Sequence, residues 1–222
     1  MQKILIMGDS QAGINGWIKK AFLDLKYDVI NIHVGGVSDL NLFRTVQRKL
    51  SEQSINQVEH IIWFQSDLGR NYRDFKNIFD TNVPFTIHDF YNEIGKLVYK
   101  KFEIIRKIAK GKTIVIGGSG SVLDNFQEYS FAHLIIKDWK YEILKLNLPP
   151  MNGLDAHINV ELIDNNKNLI MTEKEKFEYM NFQKILTDAM KNSDIFYDNY
   201  HVNEQSYIDL SKRLDSFIKE NI

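Results

Sequence analysis

Ile4-Leu5-Ile6-Met7-Gly8-Asp9-Ser10 is the stretch that decides the fold. Four apolar residues closed by a glycine read as a short buried strand. The Asp-Ser that follows puts a hydroxyl on a sharp strand-to-helix turn. Near the other end stands Asp198-Asn199-Tyr200-His201. An Asp three residues before a His can place a carboxylate and an imidazole on one short turn. Together the two stretches offer a nucleophile, a base and an orienting acid.

Outward from Ser10 the chain alternates strands and helices. Strands are expected at Lys3–Met7, Asp28–His33, His60–Phe64, Thr113–Ile116 and Ile195–Tyr197. Helical spacing of apolar residues predicts helices at Ile14–Leu25, Asp39–Leu50, Phe90–Ala109, Phe126–Leu146, Glu173–Met190 and Glu204–Ile218, with Gly111 capping the third. Such alternation implies βαβ units, hence a parallel sheet with helices on both faces. Two stretches break the rhythm, at about 67–89 and 119–170, and read as insertions at the C-terminal edge of the sheet. Open α/β sheets bind ligands along that edge. Length suits a single domain over residues 1–222.

Composition removes several chemistries. A net charge of −1 gives no basic surplus for nucleic acid or anionic lipid. The absence of cysteine excludes disulfides, thiolate zinc sites and a cysteine nucleophile. No run of 18 apolar residues exists to span a membrane, and a strand beginning at Lys3 leaves no room for a leader, so a cytoplasmic protein is expected. No cofactor and no metal are expected. Asp155-Ala156-His157 could be half a metal site, but no second pair completes it.

Taken singly, each motif has a plain reading beside the chemical one. Ser10 could be a helix N-cap. Asp198 and Asn199 are common turn residues. Gly35-Gly36 after the second strand is either a turn or a close backbone approach to a ligand. Gln65 and Ser66 open a polar loop after the third strand. Arg70 and Arg73 are either solvated or grip an anionic substrate. Gly117-Gly118-Ser119-Gly120-Ser121 lacks the Lys-Ser/Thr of a P-loop and reads as a loop. His60, His88 and His133 read as ordinary histidines, and Trp17 and Trp63 as core.

Taken together, the motifs resemble the SGNH, or GDSL, hydrolase family. Gly8-Asp9-Ser10, Gly36, the turn at Phe64–Asp67 and the tail Asp198–Asn203 with Tyr207 carry the resemblance, in order, across most of the chain. It implies a three-layer flavodoxin-like sheet of strand order 2-1-3-4-5. It implies Ser10 as nucleophile, His201 as base and Asp198 as the acid that orients it. Oxyanion donors would be the N–H of Ser10, the N–H of Gly36 or Gly35, and a side chain of the third block. That block departs from the family's Gly-x-Asn-Asp: Phe64 stands for Gly and Ser66 for Asn, while Asp67 matches. Gln65 or Ser66 is expected to replace the missing amide. Asp9, Asp67, Arg70 and Arg73 are candidates for substrate contacts. The implied reaction removes a small acyl group from a sugar or other small-molecule ester through an acyl-Ser10 intermediate. The same triad also serves O-acyltransferases, which pass the acyl group to a glycan hydroxyl in surface-polysaccharide biosynthesis. A binding module on a decayed hydrolase fold would also lack the third-block Asn.

Overall fold

A computed structural model describes residues 1–66, 82–117, 132–136, 139–144, 167–198 and 201–220. Its centre is a five-stranded, all-parallel sheet. We number the strands β1 (Lys3–Gly8), β2 (Asp28–His33), β3 (His60–Gln65), β4 (Thr113–Gly117) and β5 (Leu134–Ile136). Their order across the sheet is 2-1-3-4-5. In register, Leu5 stands beside Ile30 on one side and Ile61 on the other. The helices are α1 (Trp17–Asp24), α2 (Asp39–Glu52), α3 (Ile87–Arg106), α4 (Trp139–Leu144), α5 (Glu173–Lys191) and α6 (Glu204–Lys219).

The central strands are buried on both faces, which is why they read as continuous apolar runs instead of alternating ones. Leu5, Met7, Ile61, Trp63 and Val115 face α2 and α3. Ile4, Ile6, Ile62, Phe64 and Ile114 face α1 and α6. Trp63 is fully buried and stacks on Phe102 with 4.5 Å between ring centres. Trp17 is half-buried and meets Tyr197 edge-on at 5.2 Å. The result is a doubly wound three-layer α/β fold.

Two expected elements differ. Ile195–Tyr197 is not the fifth strand: Phe196 makes one antiparallel bridge to Val202. The edge beside β4 is taken by Leu134–Ile136, inside the span expected to be the helix Phe126–Leu146. A three-residue apolar run fits either period, so pairing with Thr113–Gly117 decides its state. Only Trp139–Leu144 of that span is helical among the described residues.

Helix α3 starts at Ile87, three residues before the expected Phe90, because Thr86 and Asp89 form a reciprocal capping box. It ends at Arg106, so Gly111 lies beyond it and is not its cap. A Cβ at Gly111 would fall 2.8 Å from the Glu59 carbonyl. The end of the first insertion is ordered by a short parallel pair, Phe85–Thr86 with Leu169–Ile170.

His60 is buried, and its Nδ1 accepts the Lys112 N–H at 2.9 Å. Exposed His133 accepts the Thr113 N–H in the same way at 3.0 Å. The side chain of His88, and all of Asp155–His157, lie outside what is described. No helix among the described residues is long and apolar enough to cross a membrane.

Candidate active site

The turn after β1 is built inward. A Cβ at Gly8 would lie 2.6 Å from the Phe64 Cβ and 2.8 Å from the Ala12 Cβ, so only glycine closes the strand there. Asp9 is fully buried and caps the next turn by accepting the Gln11 N–H at 2.9 Å. Expected as a substrate contact, Asp9 has an internal capping role in this turn. Ser10 therefore is not the N-cap. It opens a three-residue 3-10 turn, Ser10–Ala12, and is half-buried.

Helix α1 begins only at Trp17, after a second turn in which Asn15 and Gly16 take positive φ of 48° and 67°. No long helix dipole stands behind Ser10. Any donors there are individual N–H groups. The turn is tied to β2 by Asn31, whose Nδ2 donates to the Ala12 carbonyl at 2.9 Å.

The second piece is a tight loop before α6. The Tyr197 N–H donates to the His201 carbonyl at 2.8 Å, and the Asn203 N–H to the Ile195 carbonyl at 2.7 Å. Asn203 then caps α6 by accepting the Ser206 N–H at 3.0 Å. This closure sets Asp198 against His201. The Asp198 carboxylate accepts the His201 backbone N–H at 2.8 Å and stands 2.8 Å from Nδ1.

A carboxylate only accepts, so Nδ1 carries the hydrogen and Nε2 of the neutral ring holds a lone pair. That Nε2 is buried and has no hydrogen-bond partner among the described residues. A bare, buried imidazole nitrogen is costly to leave unpaired and is what a proton acceptor needs.

Tyr207 joins the two turns. It is fully buried, and its hydroxyl donates to Gln11 Oε1 at 3.4 Å. Its pKa is pushed well above the ordinary phenol value, first by burial and then by the negative charges of Asp9 and Asp198. The Tyr207–Gln11 bond ties α6, which follows the Asp198–His201 loop, to the Ser10 turn; no hydrogen bond joins Ser10 to His201 among the described residues.

Gly35 and Gly36 follow β2 and are exposed, with Gly36 at φ 70°. Among the described residues nothing lies within 4 Å of a Cβ built on either. The third block is turned elsewhere. Gln65 is buried and its Nε2 donates to the Tyr99 hydroxyl at 3.2 Å. Ser66 donates its backbone N–H to Asp39 Oδ1 at 3.0 Å. Asp67, Arg70 and Arg73 lie outside the described residues.

Sequence reasoning passed over Asp39, which it read as a helix start. The one available signal was its place directly behind Gly36-Val37-Ser38.

A cavity of about 460 Å³ lies beside the loop, lined by Trp139, Ile143, Ile195, Asn203, Leu210 and Arg213. Neither Ser10 nor His201 lines it. Among the described residues no three acidic or histidine side chains are grouped to hold a metal ion.

No family model and no curated protein matches the chain. Among solved structures it is similar to TesA, at 11% identity over the whole of both chains and a TM-score of 0.46. It is similar to a lipolytic protein of the G-D-S-L family from Veillonella parvula, at 16% identity over both whole chains and a TM-score of 0.44. It is also similar to the esterase EstA from a Pseudoalteromonas species, at 14% identity, covering 99% of this chain and 98% of that one, with a TM-score of 0.45.

Proposed function

We propose that this chain is a serine esterase of SGNH type that removes a small acyl group from a sugar or other small-molecule ester. The observation that supports this most is the His201 ring, held through Nδ1 by Asp198 with Nε2 bare and buried. In this reading Ser10 Oγ attacks the ester carbonyl carbon while Nε2 takes its proton. The carbonyl π electrons move onto oxygen and the tetrahedral oxyanion forms. It collapses, the bond to the alcohol oxygen breaks, and the imidazolium returns the proton to the leaving alcohol. Water then repeats the attack on acyl-Ser10, with Nε2 again as base, and frees the acid. Asp198 stabilises the imidazolium and is not itself protonated.

The oxyanion is assigned to backbone N–H groups of Ser10 and Gly36. Of the third block, the Gln65 side chain already serves Tyr99 and the Ser66 backbone N–H is held by Asp39. Backbone donors aimed at the developing charge need no side-chain amide.

The test is turnover of p-nitrophenyl acetate. Ser10→Ala and His201→Ala should each lose roughly 10⁴-fold or more in kcat, and the double variant should be little worse, since triad members act as a unit. An undiminished rate in Ser10→Ala with an unchanged circular dichroism spectrum overturns the assignment.

A further inference from the structure

One buried carboxylate ties the start of α2 to the turn after β3. Asp39 is fully buried at the start of α2, behind the Gly35-Gly36 turn that follows β2. Its Oδ1 accepts the Ser66 N–H at 3.0 Å, at the turn after β3. The same oxygen accepts the Trp63 indole Nε1–H at 3.2 Å. Its other oxygen, Oδ2, is buried with no hydrogen-bond partner among the described residues. The negative charge of Asp9, which caps the Ser10 turn after β1, adds to the effect of burial on it. Among the described residues of β3 and the turn after it, its donors are the neutral N–H groups of Trp63 and Ser66.

This arrangement is expensive. A buried carboxylate with one oxygen unsatisfied and a second acid nearby opposes folding. Burial, and then the Asp9 charge, push its pKa up to about 7 against the pull of its donors. Neutral groups could join α2 to β3 at lower cost. A charged acceptor, however, holds N–H donors about twice as strongly as a neutral one. Costly buried charge that fixes the walls of a site is the pattern expected of a supporting group.

We propose that Asp39 is the positioning residue of this site: by gripping Ser66 and Trp63 from the start of α2, it fixes the turn after β3 against the turn that carries Gly36. It touches no substrate. It sets the spacing between the Gly36 N–H and the neighbouring walls, so its loss is felt in the transition state more than in binding. This rests on the esterase reading above, because the spacing matters only if an oxyanion forms there.

The test uses Asp39→Asn and Asp39→Ala in the full chain. Rates are divided by active sites counted with a fluorophosphonate, so that a smaller folded fraction is not mistaken for a slower enzyme. Asp39→Ala should lower kcat per labelled serine about 100-fold with KM within about threefold. Asp39→Asn keeps a neutral acceptor and should recover most of that loss, to within about tenfold of wild type. Hydrogen exchange gives a readout that needs no activity. In wild type the Ser66 amide should be protected like Ile62 and Phe64 in β3. Asp39→Ala should expose the Ser66 amide while Ile62 and Phe64 stay protected.

A fast-exchanging Ser66 amide in wild type overturns the proposal whether or not any variant folds. So does an Asp39→Ala enzyme with an unchanged kcat per labelled serine. If wild type neither labels nor turns over, the esterase reading fails, and Ser66 exchange still decides whether Asp39 holds the turn.

Discussion

Asp198 accepts two hydrogens from His201, the backbone N–H at 2.8 Å and the ring Nδ1–H at 2.8 Å. The first bond fixes the loop and the second fixes the tautomer. Because the backbone bond holds the carboxylate in place, turning the ring would cost the Nδ1 bond. Nε2 is thereby left as the single ring nitrogen able to take a proton.

Replacing Asp198 with Asn should therefore cost activity through the tautomer. An amide can present an N–H to Nδ1, which forces the hydrogen onto Nε2 and removes the base. The expected loss in kcat at neutral pH is roughly 10²–10⁴-fold, smaller than for Ser10→Ala. A wild-type rate in Asp198→Asn would mean that another group orients the ring.

Gly8 and Gly13 should differ sharply as sites for alanine. At Gly8 the new methyl meets the Phe64 Cβ at 2.6 Å and the Phe64 carbonyl oxygen at 2.8 Å, both fixed in β3. At Gly13 the three nearest atoms all belong to the side-chain ring of exposed His33, which can move more readily than strand backbone. Urea unfolding should show Gly8→Ala destabilised by about 1–3 kcal/mol and Gly13→Ala by clearly less. Equal midpoints for the two variants would contradict the packing described for the β1 turn.

Much of the fold was legible because the central strands bury both faces. Runs such as Ile4–Met7 and Ile61–Phe64 have no helical alternative of that length, and Gly8 closes the first. Leu134–Ile136 was not legible: three apolar residues carry no period, and what makes them a strand is the free edge of β4. Ile195–Tyr197 looked the same in sequence and found that edge occupied. In the site, Ser10, Asp198 and His201 stood out as a set, since each alone also reads as a cap or turn residue. Asp39 did not, since an Asp at a helix start is the commonest of caps and its burial comes from the turn after β3. The third-block replacement was not legible for a similar reason: Gln65 has the right amide, and its bond to Tyr99 is set by the packing of β3 on α3.

Gln65→Ala accordingly should leave kcat on an activated ester within about threefold of wild type. Its amide donates to Tyr99 beneath α3, so the cost should appear in stability instead. A loss of roughly 100-fold in kcat with KM unchanged would return Gln65 to the oxyanion hole.

Asp39 also makes a prediction about stability and pH. Its folded pKa, about 7, lies above the ordinary carboxylate value of 3.8. The folded state thus holds this proton more tightly than the unfolded chain. The stability it contributes is complete below pH 3.8 and is lost as pH rises through 7. Asp39→Asn cannot ionise, so its advantage over wild type should grow from near zero at pH 4 to a plateau above pH 7. The ceiling is on the order of 4 kcal/mol, reduced by whatever the new buried amide N–H₂ costs unpartnered. Urea midpoints from pH 4 to 8 measure it. A difference that does not change with pH would mean that Asp39 stays charged, or stays neutral, throughout.

The central claim is that His201 activates Ser10, and covalent labelling with a fluorophosphonate followed by peptide mass mapping tests it most directly. The account predicts one label per chain, on Ser10, at neutral pH, none in Ser10→Ala, and labelling slowed at least 100-fold in His201→Ala. Wild type left unlabelled, or His201→Ala labelled on Ser10 as fast as wild type, would contradict it.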